Sequence, residues 1–394
     1  MNFSKRSDNP AGDPTSLVSR LERLRGSNDP SLCDLTSTDT TGWWQRLDLE
    51  MECLTHLASA QGCRYIPDPQ GSLHAREHLS ALFGNSVPPQ DWFLFASTSE
   101  AYSLLFQLLC DPGDQVVVNR PSYPLLDDLA RHGGISLVES PLRWTGSKWE
   151  LDIGQLERSF RKASVKAFCL IQPGNPTGWF LSLSERAKVV ALCAKHQVAL
   201  ISDEVFADFT NDPGFTSCLG ESSCLTFTVS GLSKGFGLPG LKLGWAGVSG
   251  GLEGVSQARE RLQRLNDSLL SASTPVQMAM DQIIPLKNAL LQPLRERLGH
   301  NLEVWSKFSP SSGMALPVPA GWMGILQLDP GTEEGFCDRL MDQKLLVQPG
   351  FLFDLPWDGV VVSLMIEPEI FERGIQVLLR ELQGISSLSL KILK

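Results

Sequence analysis

Lys166-Ala-Phe-Cys-Leu-Ile171 runs through Gln172 into Pro173-Gly-Asn-Pro-Thr-Gly178, a β-prone apolar run followed by a turn. A short apolar run that ends in turn residues reads as a strand buried on both faces. Asn175 then sits at that strand's carboxyl end, where open α/β sheets present ligand-binding groups. Six further runs have the same character: Trp92 to Phe95, Gln115 to Asn119, Ile135 to Glu139, Ala199 to Asp203, Thr226 to Ser230 and Leu243 to Val248. Between several of them lie segments of helical periodicity, such as Glu100 to Cys110 and Arg186 to His196. Ser182-Leu-Ser-Glu185 has the spacing of a capping box ahead of the second of these. Strands that alternate with helices predict a mostly parallel sheet covered on both faces, because parallel strands need crossover connections.

Beyond Leu252–Leu291 the pattern changes to strands around Trp322 to Leu328, a helix Glu334 to Gln343, a strand Gly359 to Met365 and a helix Pro368 to Leu382. This predicts a second, smaller α+β unit. The expected division is an N-terminal arm over 1–45, a large domain over 46–285 and a small C-terminal domain over 286–394, with the arm joining the small domain.

The 394 residues carry 44 Asp plus Glu against 34 Lys plus Arg, a net charge of -10, which argues against a phosphate-backbone partner. The first fourteen residues are polar, and apolar runs such as Val360 to Ile366 are far shorter than the roughly 20 residues of a membrane span. Nine cysteines without a CxxC pair suit reduced thiols, so a cytoplasmic protein is expected, with neither nucleic acid nor membrane as partner.

Two motifs look chemical but lack the right context. His74-Ala-Arg-Glu77-His78 fits the H-x-x-E-H of some zinc peptidases without an identifiable third ligand, and reads better as a solvated helix. Gly235-Phe-Gly-Leu-Pro-Gly240 fits G-x-G-x-x-G, yet Pro239 breaks the helix that a dinucleotide site needs. No metal site is expected.

Four separated segments carry more weight. Ser97-Thr-Ser-Glu100 lies between a strand and a helix, where hydroxyls and exposed N–H groups can hold a phosphate. Asn175 follows one strand; Asp203, in Ile-Ser-Asp-Glu-Val-Phe206, ends another, where a carboxylate calls for a cationic partner. Ser230-Gly-Leu-Ser-Lys234 places a lysine after an apolar strand, and a lysine in a partly dry pocket can lose its proton and attack a carbonyl.

In order and spacing these segments, with RPSYP around Tyr123 and YIPDPQG from Tyr65, resemble the fold-type I pyridoxal-phosphate enzymes, specifically the class I/II aminotransferase family, over roughly residues 30 to 385. The most specific elements are PGNPTG, SDEVF and SGLSKGFGLPGLKLGW. The resemblance implies an α/β fold, a large domain with a mostly parallel seven-stranded sheet between helices plus a smaller α+β domain. It implies an aminotransferase that moves an amino group from an amino donor to a 2-oxo acid, with pyridoxal 5'-phosphate as cofactor. Lys234 would form the Schiff base and shuttle the proton, Asp203 would pair with the pyridine nitrogen, and Asn175 would bond the phenolic oxygen. Tyr123 would stack on the ring; Ser97, Thr98, Ser99 and Lys242 would bind the phosphate. Tyr65 would reach the phosphate from the neighbouring subunit of a homodimer.

Three positions depart from the family pattern. Phe206 stands where a tyrosine is frequent, and removes a donor to the phenolic oxygen; Lys242 stands for the usual arginine. Val361, in Val361-Val-Ser-Leu-Met-Ile-Glu-Pro368, aligns with the arginine that clamps the substrate carboxylate. Either another cation, with Arg64 and Arg120 as candidates, replaces it, or the substrate offers no free carboxylate there. The resemblance places Trp43, Trp44 and Trp322 in substrate-side segments, where either a bulky or apolar substrate or ordinary core packing would account for them. The alternative reaction is a pyridoxal-phosphate lyase, decarboxylase or other non-transaminating chemistry on the same scaffold.

Overall fold

A computed structural model describes residues 16–27, 29–40, 60, 62, 64–210, 212, 214–308 and 313–383. Trp43 and Trp44 lie outside the described residues. The first elements are α1 (Leu17–Arg25), β1 (Cys33–Asp34) and α2 (Leu73–Leu82). The large sheet and its helices follow: β2 (Trp92–Phe95), α3 (Thr98–Leu109), β3 (Gln115–Arg120), α4 (Leu125–Gly133), β4 (Ser136–Trp144), β5 (Trp149–Leu151), α5 (Ile153–Phe160), β6 (Val165–Ile171), α6 (Leu183–His196), β7 (Ala199–Asp203), β8 (Thr226–Gly231), α7 (Leu232–Gly235), β9 (Gly244–Ser249) and α8 (Leu252–Asp267). Short α9 (Thr274–Met278) and α10 (Met280–Ile283) lead into α11 (Lys287–Lys307). Then come β10 (Met314–Ala315), β11 (Met323–Gln327), α12 (Glu333–Asp342), β12 (Leu345–Leu346), β13 (Gln348–Pro349), β14 (Gly359–Ser363) and α13 (Pro368–Leu382).

The large sheet has the order β2-β9-β8-β7-β6-β3-β4-β5. All seven expected strands are present, and β5 adds an eighth at one edge as an antiparallel hairpin arm on β4. It escaped the sequence reading because three residues are too few for a pattern. Within the other seven, β9 alone runs antiparallel to its neighbours β2 and β8. Consequently β2, β3, β6, β7 and β8 all end at the same edge of the sheet.

Alternating side chains build the layers. Phe168 and Leu170 of β6 join one buried cluster, whereas Ala167, Cys169 and Ile171 join the other across the sheet. Trp92 and Leu94 against Phe93 and Phe95 repeat this in β2. Fully burying a side chain such as Phe168 contributes about 1.5–3 kcal/mol. The capping box before α6 forms as the spacing predicts: Ser182 accepts from Glu185 N, and Glu185 reaches back to Ser182 N.

A four-stranded antiparallel sheet, β10-β11-β14-β13, forms the smaller layer, flanked by α11, α12 and α13. The strand β1 pairs with β12, and Ser363 N donates to Leu35 O at 2.7 Å, so the N-terminal segment is anchored beside this sheet.

Candidate active site

A cavity of about 680 Å³ opens at the shared carboxyl edge of the parallel strands. Its lining gathers Ser97, Thr98 and Ser99 after β2, Tyr123 after β3, Asn175 after β6, Asp203 at the end of β7 and Lys234 after β8, with Lys242 beside them. Eight of the nine residues singled out in the sequence therefore converge on one space. Tyr65 does not join them: it is 80% exposed and lines a separate pocket with Ile66, Ser72 and Ser273.

Close backbone approach shapes the end of this cavity beside Ser97 and Thr98. Ser97 caps α3, its Oγ accepting from Glu100 N at 3.2 Å, which leaves the hydroxyl proton available. Glu100 in turn accepts from Ala96 N and from the Ser271 hydroxyl. Gly244 lets the turn sit against β9, since a Cβ there would lie 2.9 Å from Thr98 N. The N-terminus of a twelve-residue helix, three hydroxyls and a lysine thus line one end of the cavity, donors of the kind that suit a phosphate.

Asp203 is buried, and its partners are neutral: Tyr102 Oη donates at 2.5 Å and Val205 N at 3.1 Å. Burial pushes its carboxyl above the ordinary range, which these two donors partly offset. A buried carboxylate in that state favours a cation brought to it. Tyr102 was not legible from the motifs. The signal available was its position four residues beyond Thr98, on the same face of α3.

Next to it, the buried carboxylate of Glu204 accepts from Cys218 N at 2.7 Å, Ser202 Oγ at 2.8 Å and the Ser217 hydroxyl, which fastens the end of β7 to the following loop. Asn175 turns a buried amide oxygen toward no protein partner.

Lys234 is largely buried, and burial pushes its ammonium down to about 8 from an ordinary 10.5, opposed by the Asp39 carboxylate. Its Nζ lies 4.7 Å from the centre of the Trp322 ring, which packs edge-on against Phe206 and Phe209. Trp322 is thus a buried support for the lysine; Phe206 lines the cavity beside it.

The expected carboxylate clamp is absent at Val361, which is fully buried in β14 opposite Ile325 and Gln348. Arg120, one sequence candidate to replace it, lies outside the cavity lining; its buried guanidinium pairs with Asp127 at 2.6 Å and Asp354 at 3.1 Å. Arg64, the other, is exposed and also lies outside the lining. His74, Glu77 and His78 sit on α2 away from the cavity, and His78 Nδ1 is 2.8 Å from His74 O. Gly235–Gly240 spans the end of α7 and a single turn, not the start of a strand–helix–strand unit.

Residues 27–359 match the family described as aminotransferase class I and II. The chain belongs to this family. Aminotransferases of classes I and II depend on pyridoxal 5′-phosphate, and this one is a pyridoxal-phosphate-dependent aminotransferase. Among its relatives is the alanine aminotransferase of Mycobacterium tuberculosis, 30% identical over 321 residues that cover 76% of this chain and 73% of the relative. The S-alkyl-thiohydroximate lyase of Arabidopsis thaliana is 29% identical over 237 residues, 58% of this chain and 50% of the other. In solved structures, the alanine aminotransferase of Pyrococcus furiosus has the same fold, with a TM-score of 0.83 at 20% identity over 97% of this chain and 100% of that one.

The residues of this aminotransferase fit the cofactor on their own chemistry. A buried carboxylate without a cation suits a protonated ring nitrogen, a buried amide oxygen without a partner suits a ring hydroxyl that donates to it, and hydroxyls at a helix N-terminus suit a phosphate.

Proposed function

We propose that Lys234 is the amine that captures pyridoxal 5′-phosphate, and that the cavity around it carries an amino group from a donor to a 2-oxo acid. The observation that carries this reading is the convergence on one space of a largely buried lysine with a depressed proton affinity, a buried carboxylate held only by neutral donors, and a buried amide oxygen without a protein partner. When bound, the cofactor supplies an aldehyde for the donor nitrogen and a ring that takes up the electron pair of the Cα–H bond. Asp203 holds the proton on the ring nitrogen through its negative charge. Asn175 orients the ring by its amide, Tyr123 covers a face, and Ser97, Thr98, Ser99 and Lys242 bind the phosphate. Lys234 Nζ, free as a neutral amine for an appreciable fraction of the time, takes the donor's Cα proton. The Trp322 ring, with Phe206 edge-on behind it, covers one side of that nitrogen.

Tyr65 is assigned to the site of a second copy, in a homodimer. Supporting this, Tyr65 and Ile66 are 80% and 61% exposed and lie outside their own chain's cavity. The division into a large unit over 46–285 and a small unit from the arm and 286–394 is supported by the separate eight-stranded and four-stranded sheets. A cytoplasmic location is supported by seven free cysteines among the described residues, most of them buried.

The alternative of elimination or decarboxylation draws on Val361, which leaves the usual carboxylate position without a cation. Incubation of the holoenzyme with a panel of amino donors separates the two. Amino transfer yields one 2-oxo acid per cofactor converted to its amine form; loss of ammonia or carbon dioxide without that conversion overturns the proposal.

A further inference from the structure

If a 2-oxo acid is the acceptor, its carboxylate needs a cation that Val361 does not provide. Among the described residues that line the cavity, the cations are Lys234, Lys242 and Arg25. The two lysines belong to the cofactor in the reading above, on which this inference rests. Arg25 is the last residue of α1, a helix that the sequence reading placed in an arm outside the catalytic unit.

A continuous set of contacts leads from the vacant clamp position to Arg25. Val361 stands in register with Gln348 across β14 and β13. Gln348, which lines the cavity, donates from Nε2 to Thr36 O at 3.2 Å and leaves a buried Oε1 without a partner. The Thr36 hydroxyl accepts from Arg25 and donates to Asp34 Oδ1 at 2.5 Å, and Asp34 Oδ2 lies 3.4 Å from Arg25 Nε. Arg25 is thus steered by two side chains on one flank of its guanidinium, while its side chain stays 50% exposed in the cavity wall. A guanidinium has five N–H donors in a planar fork, so these partners leave donors in reserve for a carboxylate.

We propose that Arg25 binds the substrate carboxylate in place of the clamp missing at Val361, with Asp34 and Thr36 as its positioning residues. The substrate class is then a 2-oxo acid and its matching α-amino acid, recognised from the N-terminal helix. Asp34 carries a cost in this arrangement, since its negative charge competes with the incoming carboxylate for the same guanidinium.

The test uses holoenzyme in its amine form and follows its conversion in a single turnover by pyruvate, by 2-oxoglutarate and by propanal, which has no carboxylate. For the better oxo acid, Arg25→Ala is expected to raise the half-saturating concentration by about 30- to 100-fold, since charge-assisted bonds are lost, with the limiting rate little changed. Propanal should respond equally in both proteins, and Arg25→Lys should recover part of the loss. Asp34→Asn is expected to lower the half-saturating concentration for the oxo acid, opposite in sign to Arg25→Ala. A merely structural role for the pair would weaken both variants and would affect propanal as well. An unaltered concentration dependence in Arg25→Ala, or equal losses for oxo acid and propanal, overturns the inference while amino transfer stands. If wild-type enzyme is converted by propanal as readily as by either oxo acid, no carboxylate is recognised and the Arg25 assignment falls; if none of the three converts it, the amino-transfer chemistry proposed for this cavity fails as well.

Discussion

Raising the pH during reconstitution tests the environment of Lys234 directly. The neutral amine is the reactive form, and burial brings this lysine down to about 8. At pH 7 roughly one molecule in ten then carries the free amine, against roughly one in three thousand for an unperturbed lysine. The rate of covalent cofactor capture by the apoenzyme should rise about 5-fold between pH 7 and 8 and less than about 2-fold between pH 8 and 9. Stopped-flow absorbance after mixing apoenzyme with pyridoxal 5′-phosphate measures this, with borohydride-trapped label as a check on covalency. Asp39 favours the ammonium, so Asp39→Asn should move the midpoint to lower pH. A rate that keeps climbing about tenfold per unit through pH 9 would show an ordinary solvated lysine and refute the argument from burial.

Further outcomes follow from the other contacts. Asp203→Asn removes the buried charge that a ring cation needs; at about 1.5–3 kcal/mol for a charge-assisted bond, cofactor affinity measured by fluorescence titration should fall about 10- to 100-fold. Gly244→Ala forces a methyl group to within 2.9 Å of Thr98 N, and thermal unfolding of the apoenzyme should report a loss of about 1–3 kcal/mol together with weaker phosphate binding. Phe206→Tyr adds a donor to the cavity that Asn175 also lines, and the pH midpoint of the bound cofactor's absorption should move down, because a donor favours the oxyanion.

The large sheet was legible because each strand is a short apolar run that ends in turn residues, and parallel strands can be buried on both faces without losing that signature. The positions of Asn175, Asp203 and Lys234 followed from the same logic, since each stands at the end of such a run. Tyr102 was out of reach because it meets Asp203 from 101 residues away. The same holds for β1 and β12, whose two-residue pairing joins Cys33 to Leu345, and for Arg25, which lines the cavity together with Gln348 from far along the chain. Arg120 looked available in the sequence. Its commitment to Asp354 depends on a loop more than two hundred residues later.

The central claim is that Lys234 holds the cofactor. Reduction of the holoenzyme with borohydride, digestion and mass spectrometry should place a phosphopyridoxyl group on the peptide that contains Lys234, and Lys234→Ala should carry none. Label on Lys242 or another lysine, or label that persists in Lys234→Ala, would contradict the account.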